Sequence, residues 1–185
     1  MAVWRSTMAD LIDRTRALIG DPNTDGEDPS VDDLDLIAHL DGHRETVQYM
    51  PLQAVPSITP SGTTYVRFAA DVGDWETDAT FVDGGWATIV PVSSEWQAGL
   101  WVFATQPALP VRISGHTYDL AAAGADALEA WAASAARCYD MSVDGQSLSR
   151  SQIAAGLRES AAKLRMRARV EVGVLNRTDT IGGAW

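Results

Sequence analysis

Cysteine is almost missing from this chain: Cys138 stands alone among 185 residues, so no internal disulfide can staple the fold. Its place on the apolar side of a helix predicts a buried thiol and not a nucleophile. Long apolar runs are missing too, since none reaches the roughly 18 residues that a membrane-spanning helix requires. The start, MAVWRSTMADLIDR, carries acids where a secretory leader would need its apolar centre. A soluble protein made in a cytoplasm is expected, with no membrane contact. The chain has no Gly-rich phosphate loop, G-x-S-x-G elbow, CxxC pair or HExxH pair, so nucleotide, hydrolase and zinc chemistry lack their usual anchors. Catalytic residues, cofactors and metals are therefore not expected. Histidine is scarce, and His39 and His43, four apart without a third ligand, read as ordinary helix surface. His116 carries no signal of its own.

Positive charge is sparse: 14 Lys and Arg face 25 Asp and Glu, for a net charge of −11. The distribution says more than the total. Residues 1–145 hold 22 acids against 7 bases, whereas residues 146–185 hold 3 acids against 7 bases. One end is basic and the remainder acidic, an arrangement that repels nucleic acid unless the basic end leads and that favours head-to-tail association between copies, although a solvated surface with chance asymmetry is the plainer reading of the residues alone.

With 46% hydrophobic residues, the chain can bury one sizeable core. Residues 6–19 place Met8, Leu11, Ile12, Thr15, Leu18 and Ile19 at helical spacing, with Ser6 or Thr7 as N-cap and Gly20 as the stop. An acidic loop leads to Ser30, a second N-cap, and a second helix is expected to run to about Tyr49 with Leu36, Ile37, Leu40 and Val47 inward. Within that loop Asp21, Asn23, Asp25, Gly26 and Asp32 fit positions of an EF-hand calcium loop. The fit is incomplete, because the last position is Asp where a bidentate Glu is usual and Pro22 and Pro29 stiffen the turn. A plain acidic connection explains the same letters.

From Pro51 to Pro110 the periodicity changes. Thr63–Ala69, Thr77–Val82, Trp86–Val90 and Leu100–Ala104 are short and rich in aromatic and β-branched residues, with Asp83-Gly84-Gly85 as a hairpin turn where glycine supplies positive φ. A last strand is expected near Val111–Ser114, and no proline falls inside a predicted strand. Trp75, Trp86, Trp96 and Trp101 sit among Asp71, Asp74, Glu76, Asp78 and Asp83, raw material for a glycan cleft. Tryptophan is equally at home in the core of a small sheet.

A third helix, His116–Tyr139, carries Leu120, Gly124, Leu128, Trp131, Ala135 and Cys138 on one side and ten alanines between Ala121 and Ala136, so other helices can approach closely. After an Asp144-Gly145 turn, Ser149 and Gln152 form a capping box that opens a fourth helix, with Ile153, Leu157, Ala161, Leu164 and Ala168 inward. Arg158, Arg165 and Arg169 line its outer flank. Val170–Leu175 has strand character, and the remainder of the end is too polar to fold alone. The expected class is α+β: a helical bundle (residues 1–50 and 116–169) with an inserted antiparallel β lobe (51–115) and an extended C-terminal tail (170–185).

Between Tyr118 and Arg169 the chain resembles the head-tail adaptor, or head-completion, proteins of long-tailed bacteriophages. The shared letters are Tyr118-Asp119 opening an Ala-rich helix, Val143 to Ser147 (VDGQS) and Arg150 to Gln152 (RSQ). Leu18-Ile19-Gly20-Asp21 and Leu40-Asp41 with Arg44 extend the likeness to rather more than half of the chain. The β insertion is similar only in general shape.

The resemblance implies a helical bundle with a β insertion, assembled as a homo-oligomeric, dodecameric ring below the portal protein. That ring sits in the virion neck between capsid and tail, meets a stopper or other tail-side neck protein, and passes DNA without sequence-specific binding or enzyme activity. On that footing Arg150, Arg158, Arg165 and Arg169 are expected to meet acids of a neighbouring subunit. The tail, through Val170, Val172, Val174, Leu175, Arg177, Ile181 and Trp185, is expected to dock on the portal. A glycan-binding β module of a virion or surface protein is the alternative.

Overall fold

The computed structural model describes residues 7–21, 31–59, 62–137, 141–143, 146–148 and 150–169. Ser6, Ser30, Cys138, the Asp144-Gly145 turn, Ser149 of the capping box, Asn23, Asp25 and Gly26 of the acidic loop, and the whole tail from Val170 lie outside them. The architecture is α+β: four helices and two four-stranded antiparallel sheets, with one small hairpin.

Helix α1 (Met8–Ile19) ends where expected, at Gly20 with φ 74°, a left-handed cap that a side chain would strain. Met8, Leu11, Ile12, Thr15 and Ile19 are buried, whereas Leu18 is exposed at the stripe's edge and Arg16 takes the inward place instead. Helix α2 (Asp33–Gly42) is shorter than expected, and Asp32 stands at its N-cap position without a side-chain cap hydrogen bond. Its stripe of Leu36, Ile37 and Leu40 has no apolar successor at 43 or 44, so nothing rewards another turn. The chain extends instead into β1 (Arg44–Pro51), and Val47 belongs to that strand.

The insertion therefore begins earlier than the letters suggest. Strands β2 (Gln53–Thr59), β3 (Gly62–Ala69), β4 (Thr80–Val82), β5 (Thr88–Ile89), β6 (Ser93–Glu95), β7 (Leu100–Val102) and β8 (Arg112–Tyr118) follow. They form two sheets, ordered β1-β8-β4-β5 and β2-β3-β7-β6. Pro56 lies inside β2, contrary to expectation. It is tolerated because β2 is an edge strand whose register shifts between Val55 and Ser57, so no central ladder bond is lost. In the β4–β5 turn the positive φ falls on Trp86, at 65°, not on Gly84 or Gly85. Gly84 serves another purpose: a Cβ there would meet the Leu109 carbonyl oxygen at 2.1 Å.

Two apolar clusters result. The first joins α1, α2, α3 (Leu120–Ala136) and α4 (Arg150–Arg165), and Tyr118 enters it from β8. The second fills the lobe with Leu52, Phe68, Trp75, Phe81, Trp101, Phe103, Val111 and Ile113. Strand β8 serves both, from Ile113 in the lobe to Tyr118 in the bundle. It is longer than expected and takes His116 from the start of α3.

Helix α3 packs against α1, α2 and α4, which is why it buries Ala123, Ala125, Ala127 and Ala132 besides Leu120 and Leu128. Its thinnest point is Gly124, where an added Cβ would stand 3.1 Å from Ile19 and 3.3 Å from Leu164. On α4, Ala154, Ala161 and Leu164 are buried while Ile153 is exposed. The connection between α3 and α4 holds a hairpin, β9 (Met141–Val143) with β10 (Gln146–Leu148), where a simple polar turn was expected.

Candidate functional site

Where β8 hands over to α3, charged groups from every layer converge. Glu76 is buried, and Arg44 donates to it through a two-pronged contact, Nε to Oε1 at 3.0 Å and Nη2 to Oε2 at 2.9 Å. That fork holds the Arg44 guanidinium above its usual pKa. The Tyr118 hydroxyl donates to the same carboxylate. His116 Nδ1 lies 2.8 Å from Asp78 and 3.6 Å from Glu76.

Glu76, Asp78 and His116 thus bring three ligand-type atoms within 4.8 Å of one another, a cluster the spacing of these residues in sequence did not reveal. Both oxygens of Glu76 already accept from Arg44, and a metal cation would sit beside that guanidinium. The arrangement is an ion-pair network that ties β1, β8 and the β3–β4 loop, and Glu76 is its centre.

Arg169 closes the network from the other side. Its Nη2 donates to the Gly73 carbonyl at 3.0 Å, the Thr117 hydroxyl at 3.0 Å and the Tyr118 carbonyl at 2.8 Å, while its backbone N–H reaches Asp119. Arg169 follows α4 instead of lying on its flank, and this guanidinium is committed within the chain. Arg165 pairs with Asp126 and Glu129 of α3, each at 2.9 Å. Arg158 is exposed and carries no ion pair among the described residues; Arg150 opens α4. Arg158, Arg165 and Arg169 therefore do not form one free flank.

Burial alone would raise the Asp126 pKa, but hydrogen bonds from His43 at 2.8 Å and Arg165 at 2.9 Å outweigh it and hold the carboxyl below its ordinary value. His43 ends α2 and faces α3, so it shares no helical face with His39.

The acidic loop resolves similarly at its described ends. Arg16, 2% exposed, places Nη1 3.1 Å from Asp21 and Nη2 2.6 Å from Asp33 and 2.7 Å from the Val31 carbonyl. A guanidinium thus neutralises the first carboxylate of the calcium-like pattern, and Asp32, the last, stands at the N-cap position of α2 without a side-chain cap hydrogen bond.

Between α1 and the lobe lies a cleft of about 450 Å³. Asp74 stands in it with φ 59°, and burial raises its pKa although Arg14 Nη1 approaches to 2.6 Å. Gln97 Nε2 donates to both oxygens of Asp10 at 3.0 Å, linking the lobe to α1. The tryptophans divide by role: Trp75 and Trp101 are buried in the lobe core, Trp96 is half-buried at the cleft, and Trp86 is 61% exposed. Trp86 meets Tyr49 edge-on and lies under Arg112.

No protein-family model, no curated protein and no solved structure matches this chain. Among the described residues, no helix is long and apolar enough to cross a membrane.

Proposed function

We propose that this protein is a structural head-tail adaptor, forming a ring below a portal protein, extending the DNA channel and receiving a tail-side neck protein. The reading is carried by one observation: two helix pairs, α1–α2 and α3–α4, share a single core while two antiparallel sheets are inserted between them. That is the architecture which the resemblance through Tyr118-Asp119, VDGQS and RSQ implies. The split between an acidic body and a basic end supports it, because a head-to-tail ring needs two unlike faces. Arg158 suits the basic face, and Arg165 and Arg169 support it from within by holding α4 in place. The tail residues named above remain the proposed portal contact.

Co-expression with the portal protein of the same virion tests this reading. The expected product is a complex heavier than the portal ring by several copies of this chain, lost when residues 170–185 are deleted. A portal particle of unchanged mass would refute it. A glycan-binding lobe is favoured by Trp86, which is exposed, and by Trp96 at the cleft, since Trp75 and Trp101 are core. Binding on a glycan array that disappears in Trp86→Ala would establish it instead.

A further inference from the structure

The cleft between α1 and the lobe and the end of α4 complement each other. The cleft is walled by Leu11 and Trp96 and carries Asp10, Asp74 and Glu95 against a single base, Arg14, which faces Asp74. It is a mixed slot with an acidic rim, in which half-buried Trp96 is the main apolar wall. At the end of α4, Met166 is 88% exposed, and its neighbour Arg167 is exposed without an ion pair among the described residues. This is an apolar side chain beside an unmatched cation.

The pair is also held rigidly. Arg167 and Ala168 donate backbone hydrogen bonds to Leu164, and one residue further Arg169 is clamped to Gly73, Thr117 and Tyr118. Little backbone ordering therefore remains for this corner on association, and the cost left is the rotamer freedom of the two side chains. Methionine and arginine are both enriched at protein interfaces, where the former adapts to an irregular apolar wall and the latter meets carboxylates.

The geometry points to the Met166–Arg167 corner of one copy seating in the Asp10–Glu95 cleft of another, as the repeating contact of the assembly. Met166 lies against Trp96, and Arg167 reaches Glu95 at the rim, beside Asp10, whose two oxygens already accept from Gln97. This inference rests on the ring reading and names the surfaces that would build it. It shifts the basic side of the contact from the arginine flank to the two residues just after α4.

The test is a charge exchange in the full chain, read as the mass of the assembly formed with portal protein and as self-association by sedimentation. Glu95→Lys alters the cleft and Arg167→Glu alters the corner; both residues are exposed and neither carries an ion pair among the described residues, so each variant should fold, which circular dichroism verifies. Each variant alone is expected to associate about tenfold more weakly than wild type, and an equimolar mixture should regain most of the loss, because each altered face finds its complement. Met166→Asp should weaken association without rescue by Glu95→Lys beyond its charge effect.

Two results would overturn the inference while leaving the adaptor reading intact: single variants that assemble as wild type does, or a mixture that stays as weak as its components. Wild-type chain that adds no mass to the portal would instead remove the adaptor reading and this contact together.

Discussion

Arg16, on α1, supplies positive charge at the two described ends of the acidic loop. Its guanidinium serves Asp21, Asp33 and the Val31 carbonyl at once, so replacing it leaves buried acceptors without a donor. Arg16→Met is expected to cost about 2–4 kcal/mol, seen as a lower urea midpoint. A loss under about 0.5 kcal/mol would show that the pairing is not structural. Asp126 gives a pH signature. Its folded pKa lies below the unfolded value of about 3.9, so its contribution is present above that value and fades as pH falls through the lower folded one. Melts of wild type and Asp126→Asn should differ at neutral pH, by about 1 kcal/mol at most because the site is partly solvated, and converge in acid. A difference that does not shrink at low pH would contradict the assignment.

Among the elements, Gly20 ended α1 as its sequence position implied, with Arg16 inward in place of Leu18, whereas α3 starts at Leu120, because β8 takes His116 to Tyr118, and buries alanines on the faces that meet α1, α2 and α4. The α2–β1 boundary did not follow the local pattern. A stripe ending at Leu40 reads forward into Val47 only if Arg44 is allowed near the core, and the pairing that decides otherwise lies on β8, beyond any local window. The candidate site was hidden for the same reason. Glu76, Asp78 and His116 are ordinary letters until β8 places His116 beside the β3–β4 loop. Helix packing makes a sharper test at Gly124, where α1 and α4 both crowd α3. Gly124→Leu should destabilise by about 1–3 kcal/mol despite better helix propensity, because Ile19 and Leu164 leave no room. An unchanged melting temperature would mean that the helices separate easily.

At the scale of the molecule, two cores share one strand. Since β8 contributes Ile113 to the lobe and Tyr118 to the bundle, and Glu76 and Arg169 brace the junction, lobe and bundle are expected to unfold together. Tryptophan fluorescence, dominated by the lobe, and helical circular dichroism should trace the same transition. Two separated midpoints would show that the junction does not couple them. A ring contact built on charge should also weaken with salt, since exposed pairs are screened over about 10 Å at 0.1 M.

The sequence by itself determined the helices whose apolar stripes repeat every turn, a run of short strands between the helix pairs, though not its start at Arg44, the α+β class and the acidic body with its basic end. These follow from side-chain periodicity and charge, which are local properties. Only the tertiary structure decided that Arg16 is inside, that Arg169 is a clamp and not part of a flank, and that Trp75 and Trp101 are core. The same holds for Met166 and the cleft: one stands exposed and the other open. Each of these depends on which distant residue arrives next to a group. An arginine, a tryptophan or a carboxylate can satisfy itself in water or in protein, and the partner that settles the matter is set by chain topology.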